Sequence, residues 1–434
     1  MDEAEQRTEQ MNRLLESVKN ELEKQKQIYK QDGRKYIDTE YVPQDPKHRE
    51  KEITQISKQI IEFIINRVSG SFLIYGNSGT GKTMSFKVAM SVAQAYLPKS
   101  DSDQKDYMVI FVTAKGTDIT PLMTEICRSL DIKAPSRGIS FKDYINLIKE
   151  RLKKMYIHIC IDEFDNLLLS RTREKAEDLI YYFTRTEKLS LTIITNRINL
   201  AKEIQDARVF SSLNTLNSIN FRDYDPAQCY DILKERTNMA FNPNFIHDNV
   251  LQTLSKHIAI EGGDIRKGLS VLGLCAKYAE ESNILTITPE IMTDIIEKYD
   301  ILKDGENLRR LSISGQLILA AIYSLLLTNR CNTLDSKDIF AKQDYYRSTL
   351  NMPGISRESH SVYLTKINTS GIISTARSSK GGREGTSMHI TLRYPRDAIK
   401  YMLNEETEMQ RVRETIENEL RDFKKEKVWW TNPT

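Results

Sequence analysis

The sequence predicts an α/β fold with three parts: a parallel sheet with helices on both faces, a small helical lid, and a winged helix. Apolar strand-like runs alternate with helical patterns, and a glycine-rich loop joins the first run to a helix. Farther along, three helical patterns precede two strand-like runs around a glycine turn, which is the order of a winged helix. The expected segments are a helical arm at 1–36, a sheet-containing base at 37–221, a lid at 222–304, a winged helix at 305–403 and a charged tail at 404–434.

Composition narrows the class of protein. With 434 residues, 39% of them hydrophobic, the chain is too long for one typical domain and can bury packed cores. Its formal net charge is only +3, so contacts with nucleic acid must come from local basic patches. The five cysteines form no C-x-x-C pair, which argues against disulfides and zinc and favours a reducing compartment. We expect neither secretion nor membrane association, and the longest apolar run, 317–327, is predicted to be a buried helix.

The loop after the first predicted strand has the sequence GNSGTGKT. Its glycines let backbone N–H groups point at a phosphate, and the helix that follows adds partial positive charge. Lys82 is expected to reach the β- and γ-phosphates, and the Thr83 hydroxyl to ligate Mg²⁺. An ordinary glycine-rich turn is disfavoured because every fixed position of the motif is present between a strand and a helix. The predicted phosphate-binding residues are Gly76, Asn77, Ser78, Gly79, Thr80, Gly81, Lys82 and Thr83.

Polar side chains follow two later strands. The apolar run 157–161 ends in Asp162 and Glu163, and the next strand ends in Asn196. Ligands of parallel sheets lie at the carboxyl ends of the strands, so these residues are expected beside the glycine loop. Asp162 can hold Mg²⁺, and Glu163 can polarise a water for attack on the γ-phosphate. The amide of Asn196 can bond to that phosphate or to the water, although an asparagine after a strand is more often a turn former.

The lid contributes one further candidate. The stretch 263–269 begins a predicted helix, with Asp264 as its N-cap and Arg266 in its first turn. An arginine there can swing onto the γ-phosphate and couple the nucleotide state to the lid position. From composition alone, the favoured interpretation is an arginine on a helix surface.

The C-terminal segment carries the prediction of DNA binding. A recognition helix is predicted at 356–370, with His360 exposed and with Val362, Leu364 and Ile367 toward the core. The hairpin after it is basic and rich in glycine, and such a tip can enter a minor groove. A solvated hairpin in a winged helix that contacts proteins is the alternative. The DNA-binding candidates are Arg357, Ser359, Ser361 and Lys366 on the helix, and Arg377, Lys380 and Arg383 on the hairpin.

Together these motifs resemble the AAA+ replication-initiator family: the archaeal origin-recognition and cell-division-control proteins and their eukaryotic relatives. The resemblance spans about 41–403 and rests on a combination of motifs. The segment Tyr41-Val42-Pro43 with His48-Arg49-Glu50 resembles the one that packs on the adenine, 76–83 matches Walker A, 162–163 Walker B, 195–196 sensor 1, and 263–269 looks like sensor 2.

The resemblance implies a slow ATPase that uses ATP and ADP as a switch, with Glu163, Asn196 and Arg266 as catalytic residues. It implies duplex DNA at a replication origin and the replicative helicase as partners, and self-assembly on DNA. It also implies a location at the nucleoid in the cytoplasm of an archaeon, or in the nucleus of a eukaryote. Helix 118–130 falls where the family has an extra DNA-contacting helix. The further candidates for nucleotide contact are Tyr41, Val42, His48, Arg49 and Tyr224.

One departure from the family and two rival functions remain open. Eukaryotic members have an arginine finger about where this chain has Ser212, which leaves two interpretations of Arg208 open: a structural arginine, or a finger for hydrolysis in trans across a subunit interface. A STAND-type regulator acting through protein partners is one rival, but it would normally carry a repeat array. An architectural DNA binder with structural ATP is the other, and Glu163 argues against it.

Overall fold

A computed structural model describes residues 3–67, 71–97, 106–114, 116, 118–135, 138–168, 173–204, 206–214, 216–328, 332–379 and 386–431. The chain forms two compact units, Met1–Thr293 and Asp294–Thr434. Among the described residues, no helix is long and apolar enough to cross a membrane.

A five-stranded parallel sheet forms the centre of the first unit, with strand order β2-β3-β4-β1-β5. β4 is buried along its whole length, as expected for a strand covered on both faces. The predicted strands are confirmed, but the edge strand β5 was not predicted because it is short and exposes alternate polar residues. The strands are β1 (Phe72–Gly76), β2 (Tyr107–Thr113), β3 (Tyr156–Asp162), β4 (Leu189–Thr195) and β5 (Asn217–Phe221).

Helices pack on both faces of this sheet. One apolar cluster holds Met123 and Ile148, and a second holds Ile60 and Phe86. The helices of the arm and base are α1 (Glu3–Ile28), α2 (Glu50–Asn66), α3 (Lys82–Tyr96), α4 (Ile119–Ser129), α5 (Phe141–Leu152), α6 (Asp165–Leu168), α7 (Arg173–Arg185), α8 (Leu200–Glu203) and α9 (Ala207–Asn214).

The lid begins with α10 (Pro226–Ala240), α11 (Asp248–Ile260) and α12 (Ile265–Ser282). Asp225 caps α10 through a reciprocal capping box with Gln228. The end of α1 is bonded to this lid, because the Asn242 side-chain amide donates to the carbonyl oxygens of Lys26 and Gln27, each at 2.9 Å. The predicted amphipathic arm is therefore a helix joined to the lid, with its apolar stripe exposed at Met11, Leu14, Leu15, Val18 and Leu22.

The next helix corrects one prediction. The sequence around Gly305 indicates a break, but α13 (Pro289–Arg309) runs through it without interruption. The Tyr401 ring occupies the space that a Cβ on Gly305 would fill, so this glycine serves close packing within the second unit. The two compact units divide between Thr293 and Asp294, ahead of the boundary predicted at 304.

The second unit has the element order of a winged helix. Its helices α14 (Ile313–Thr328), α15 (Ser336–Thr349) and α16 (Arg357–Thr369) precede an antiparallel hairpin of β7 (Ile373–Ser379) and β8 (Thr386–Leu392). A short strand, β6 (Thr333–Asp335), pairs with the other side of β8. The long apolar run of α14 is buried in the core, as predicted.

The segment predicted to be a charged tail is part of this core. After α17 (Arg396–Glu405), α18 (Gln410–Thr431) buries Val412 and Ile416 among the winged-helix residues. Glu419 accepts three hydrogen bonds from α14 and α15: from the Ser324 hydroxyl at 3.1 Å, the Lys342 ammonium at 2.6 Å and the Tyr346 hydroxyl at 3.2 Å. The prediction of a separate tail is wrong, because α18 packs in the core of the second unit. The sequence did not reveal this packing, since the contacting residues of α14 and α15 are distant from α18 in the chain.

We predict that Glu419→Ala lowers the free energy of unfolding by about 1–3 kcal/mol, because it leaves the buried Ser324 and Tyr346 hydroxyls without their acceptor. Glu417→Ala removes the same charge from an exposed position and should change stability by less than about 0.5 kcal/mol. Urea unfolding followed by circular dichroism measures both. Equal effects of the two substitutions would contradict a structural role for Glu419.

Candidate functional site

A cavity of about 660 Å³ lies at the carboxyl ends of β1, β3 and β4, bounded on its other side by α10 and α12. Its size is in the range of small-molecule and cofactor sites. Twelve of the predicted site residues line it: Tyr41, Val42, Ser78, Gly79, Gly81, Lys82, Thr83, Asp162, Glu163, Asn196, Tyr224 and Arg266.

The Lys82 ammonium connects the glycine loop to the end of β4. It donates to the carbonyl oxygens of Gly76 at 2.9 Å and Asn77 at 2.6 Å, and to the side-chain oxygen of Asn196 at 2.9 Å. Lys82 is only 6% exposed, and this burial lowers its pKa to about 8, against the opposing attraction of Asp162. Asn196, which was expected beside the glycine loop, therefore contacts it through the loop lysine.

Thr83 and Asp162 form a second connection, from the start of α3 to the end of β3. The Thr83 hydroxyl donates to Asp162 Oδ2 at a distance of 2.7 Å. Burial raises the pKa of Asp162, and the Thr83 hydrogen bond acts in the opposite direction. A hydroxyl and a carboxylate oxygen at this distance are the hard oxygen donors that Mg²⁺ prefers, so these two residues fit a magnesium site.

Glu163 and Asn196 are positioned by acidic and amide neighbours that the sequence did not suggest. Glu163 has a left-handed φ of 54°, and its Oε2 accepts from the Asn166 side-chain amide at 3.3 Å. Asp165 Oδ1 accepts from the Thr195 hydroxyl at 3.0 Å and from the Asn196 backbone N–H at 3.2 Å. Asp165 thus orients the end of β4; the only signal in the sequence was its place two residues after Glu163.

The first turn of α12 contacts the glycine loop. Asp264 caps the helix, and its Oδ2 accepts from the Ser78 hydroxyl at 3.3 Å. The Arg266 guanidinium also donates to Ser78. Gly79, at a φ of 73°, leaves room for the Asp264 carboxylate, which a Cβ on that residue would overlap. The lid and the loop therefore meet through one carboxylate and one guanidinium.

The segment ahead of α2 divides into residues that line the cavity and residues that do not. Tyr41 lines it, beneath the Arg236 guanidinium, which lies 4.6 Å from the ring centroid. Arg236 was not predicted, because it stands in the middle of a lid helix with no motif around it. His48 does not line the cavity; its Nε2 lies 3.1 Å from Asp231.

Arg49 also lies outside the cavity lining. Its buried guanidinium donates to the carbonyl oxygens of Thr80 at 2.9 Å and Arg222 at 2.7 Å, and stacks 3.9 Å from the Tyr224 ring centroid. Arg49 therefore stabilises the glycine loop through the Thr80 carbonyl oxygen, without lining the cavity. The carbonyl oxygens of Gly76 and Asn77, in the same loop, accept hydrogen bonds from Lys82.

Two arginines outside this cavity pair with acidic neighbours. Arg208 pairs with Asp206 at 2.5 Å and lies 5.0 Å from the Tyr181 ring centroid. In α4, Arg128 pairs with Glu125 at 2.6 Å. Both guanidinium groups form ion pairs within the chain.

The recognition-helix candidate, α16, differs from the prediction at two residues. His360 is buried and Val362 is exposed, so the predicted orientation of these two residues is wrong. Leu364 and Ile367 are buried as predicted. The DNA-binding candidates Arg357, Ser359, Ser361 and Lys366 are exposed, as is Arg377 on β7. Lys380 and Arg383 lie outside the described residues.

Two family models match the first unit. The AAA domain matches residues 66–202, and the Cdc6 AAA+ ATPase-type lid domain matches residues 230–294. Curated relatives cover most of the chain. The ORC1-type DNA replication protein 1 of Methanothermobacter thermautotrophicus is 27% identical over 385 residues, which are 87% of this chain and 96% of that protein. Its counterpart in Sulfolobus acidocaldarius is 26% identical over 408 residues, 92% and 98% of the two chains.

Solved structures share the fold. The Aeropyrum pernix ORC1 protein in complex with DNA matches with a TM-score of 0.72 at 24% identity, covering 89% of this chain and 99% of that one. The Aeropyrum pernix ORC2 protein in its ADPNP–ADP complexes matches with a TM-score of 0.55 at 16% identity, covering 91% and 100%. The predicted AAA+ sheet module with a helical lid is therefore confirmed.

We predict that MgATP binding takes up a proton at alkaline pH. In the free site the pKa of Lys82 is about 8, below its ordinary value, so the ammonium loses its proton as the pH rises through that value. Phosphates favour the charged form, so affinity should fall by up to about tenfold per pH unit above about pH 8. Titration calorimetry at about pH 9 in two buffers of different ionisation enthalpy measures the uptake.

Lys82→Arg is the matched variant, because arginine keeps its proton throughout this range. Residual binding by Lys82→Arg should show no proton uptake. Binding by the unsubstituted protein without proton uptake at about pH 9 would show that Lys82 is already charged in the free site.

Proposed function

We propose that this chain, which is similar along most of its length to archaeal ORC1-type DNA replication proteins and matches the AAA and Cdc6 lid family models, is an ATP-dependent initiator that binds duplex DNA at a replication origin. The observation that carries this proposal is the convergence of the loop lysine, the β3 carboxylates and Asn196 at one cavity. The two curated relatives described above are replication proteins by name, and they match this chain along almost their whole length.

In the proposed reaction, ATP is hydrolysed at this cavity. Lys82 is proposed to bind the β- and γ-phosphates, after giving up part of its bonding to the loop carbonyl oxygens. Glu163 acts as the base that orients and polarises the attacking water. Asn196, with its backbone held by Asp165, bonds to the γ-phosphate or to that water. Tyr41, Val42 and Tyr224 are proposed to contact the nucleotide from the lid side of the cavity.

Mg²⁺ is proposed to bind at Thr83 and Asp162. When bound, it neutralises the charge that develops on the phosphate oxygens. The Thr83 hydroxyl and the Asp162 carboxylate would supply oxygen ligands to the ion, and its charge would favour the ionised form of Asp162, whose pKa is raised by burial in the free site.

The lid is proposed to report which nucleotide is bound. Arg266 and Asp264 carry opposite charges and meet the loop at Ser78. A γ-phosphate attracts the guanidinium and repels the carboxylate, so the contact of α12 with the loop depends on whether ATP or ADP is present. This dependence is the proposed switch. Because a switch needs only one hydrolysis event to change state, slow ATP turnover is sufficient for it.

DNA is proposed to bind the winged helix of the second unit. The exposed residues Arg357, Ser359, Ser361 and Lys366 provide the helix contacts, and Arg377 with Lys380 and Arg383 provides phosphate contacts from the hairpin. The Aeropyrum pernix ORC1 protein, which shares this fold, was solved in complex with DNA. We also propose that the protein recruits a replicative helicase and assembles with further copies of itself on the DNA. The proposed location of the protein is at the chromosome.

The test is ATP turnover with and without duplex DNA. We expect Glu163→Gln to retain MgATP binding and to lower turnover by about a hundredfold or more, because it removes the base but preserves the size of the side chain. Glu174→Gln, an exposed residue of α7, is the control and should leave turnover unchanged. Equal turnover of the unsubstituted protein and Glu163→Gln would contradict the role of Glu163, and no turnover in either would refute the enzyme assignment.

A further inference from the structure

A buried histidine fixes the rotation of α16 within the second unit. His360 is 3% exposed, and its Nδ1 lies 2.6 Å from Gln343 Oε1. Because the Gln343 amide nitrogen donates to the Ser314 carbonyl oxygen at 3.0 Å, Oε1 is the acceptor and His360 Nδ1 the donor. The Phe340 ring packs edge-on against the imidazole, with centroids 5.3 Å apart. These contacts leave one definite face of α16 exposed.

Val362 lies at the centre of that face. Its side chain is 54% exposed, and its helical neighbours Glu358, Thr365, Lys366 and Thr369 are exposed as well. In α16, whose side chains are all described, Val362 is the one exposed large aliphatic residue. A single apolar residue on a surface needs no explanation by itself. Its position in the middle of the polar face of a recognition helix is what gives it a meaning.

The threonine hydroxyl groups beside Val362 already donate hydrogen bonds to backbone carbonyl oxygens of α16. Thr365 Oγ1 donates to the Ser361 carbonyl oxygen at 2.9 Å, and Thr369 Oγ1 donates to the Thr365 carbonyl oxygen at 2.8 Å. These threonines can still accept a hydrogen bond, but their protons are engaged. The centre of this face therefore presents an isopropyl group, and few free hydrogen-bond donors, to the edge of a base.

We propose that Val362 contacts the C5-methyl group of thymine in the major groove and so determines part of the sequence that the protein binds. The inference rests on the proposed function, because it requires that α16 enter DNA. The major-groove edge of thymine presents a methyl group that the other standard bases lack, and apolar side chains read it by contact. The ammonium of Lys366, one turn along the helix, lies near enough to this face to bond to a phosphate or to a guanine edge.

The test uses uracil, which differs from thymine only by this methyl group. A duplex is first selected by the unsubstituted protein from a random-sequence pool and then synthesised with uracil replacing thymine at one position at a time. Removing one buried methyl group should weaken binding by about fourfold at the contacted position. Fluorescence anisotropy at a fixed salt concentration measures the affinities.

Two variants separate a base contact from a general loss of binding. Val362→Ala should bind the thymine and uracil duplexes equally, since its side chain no longer reaches the methyl group; thermal unfolding should be unchanged because the residue is exposed. Arg377→Ala, which removes a proposed phosphate contact, should weaken both duplexes and retain the fourfold difference.

The outcomes also separate this inference from the proposed function. Binding of a selected sequence with no sensitivity to uracil, or a uracil effect that persists in Val362→Ala, would overturn the role of Val362 while leaving origin binding intact. A selection that yields no preferred sequence would overturn it too, since a base contact requires one. Failure of the protein to bind any duplex would refute both the inference and the proposed function.

Discussion

The first unit depends on one buried cation. An ammonium group removed from water is costly unless its donors are satisfied, and Lys82 satisfies its donors with two loop carbonyl oxygens and Asn196. This requirement brings the end of β4 to the glycine loop and places β3, with Asp162, beside both. The loop is thereby held in its phosphate-binding shape before phosphate arrives, and the lowered pKa of Lys82 reflects the desolvation that a phosphate would offset.

The lid contact follows from the same electrostatics. Asp264 caps α12 and approaches the loop at Gly79, where only a glycine leaves enough space, and Arg266 reaches Ser78 from the same turn. Opposite charges two residues apart respond in opposite ways to a phosphate, so a small change at the cavity alters the balance of the whole contact. We propose that this pair discriminates ATP from ADP.

The sequence was sufficient wherever a local pattern determines the structure. The glycine loop, the strands ending in Asp162 and Asn196, and the helical lid all follow from spacing and hydrophobic runs. It was insufficient where contacts between distant residues decide. At two positions of α16, valine was predicted inward and histidine outward from residue type, but the Gln343 side chain bonds to Nδ1 of the buried His360, and Val362 is exposed. The same holds for α18, whose place in the core depends on Glu419 meeting residues of α14 and α15, and for Asp165, whose role depends on the neighbouring strand.

We propose that the nucleotide at the loop controls DNA binding through Arg266. This proposal is tested most directly by the affinity for a fluorescent duplex, measured at saturating ADPNP and at saturating ADP, in the unsubstituted protein and in Arg266→Ala. We expect affinities that differ by about fivefold or more between the two nucleotides in the unsubstituted protein, and no difference in Arg266→Ala. Equal affinities in the unsubstituted protein, or a difference that survives in Arg266→Ala, would contradict the proposal.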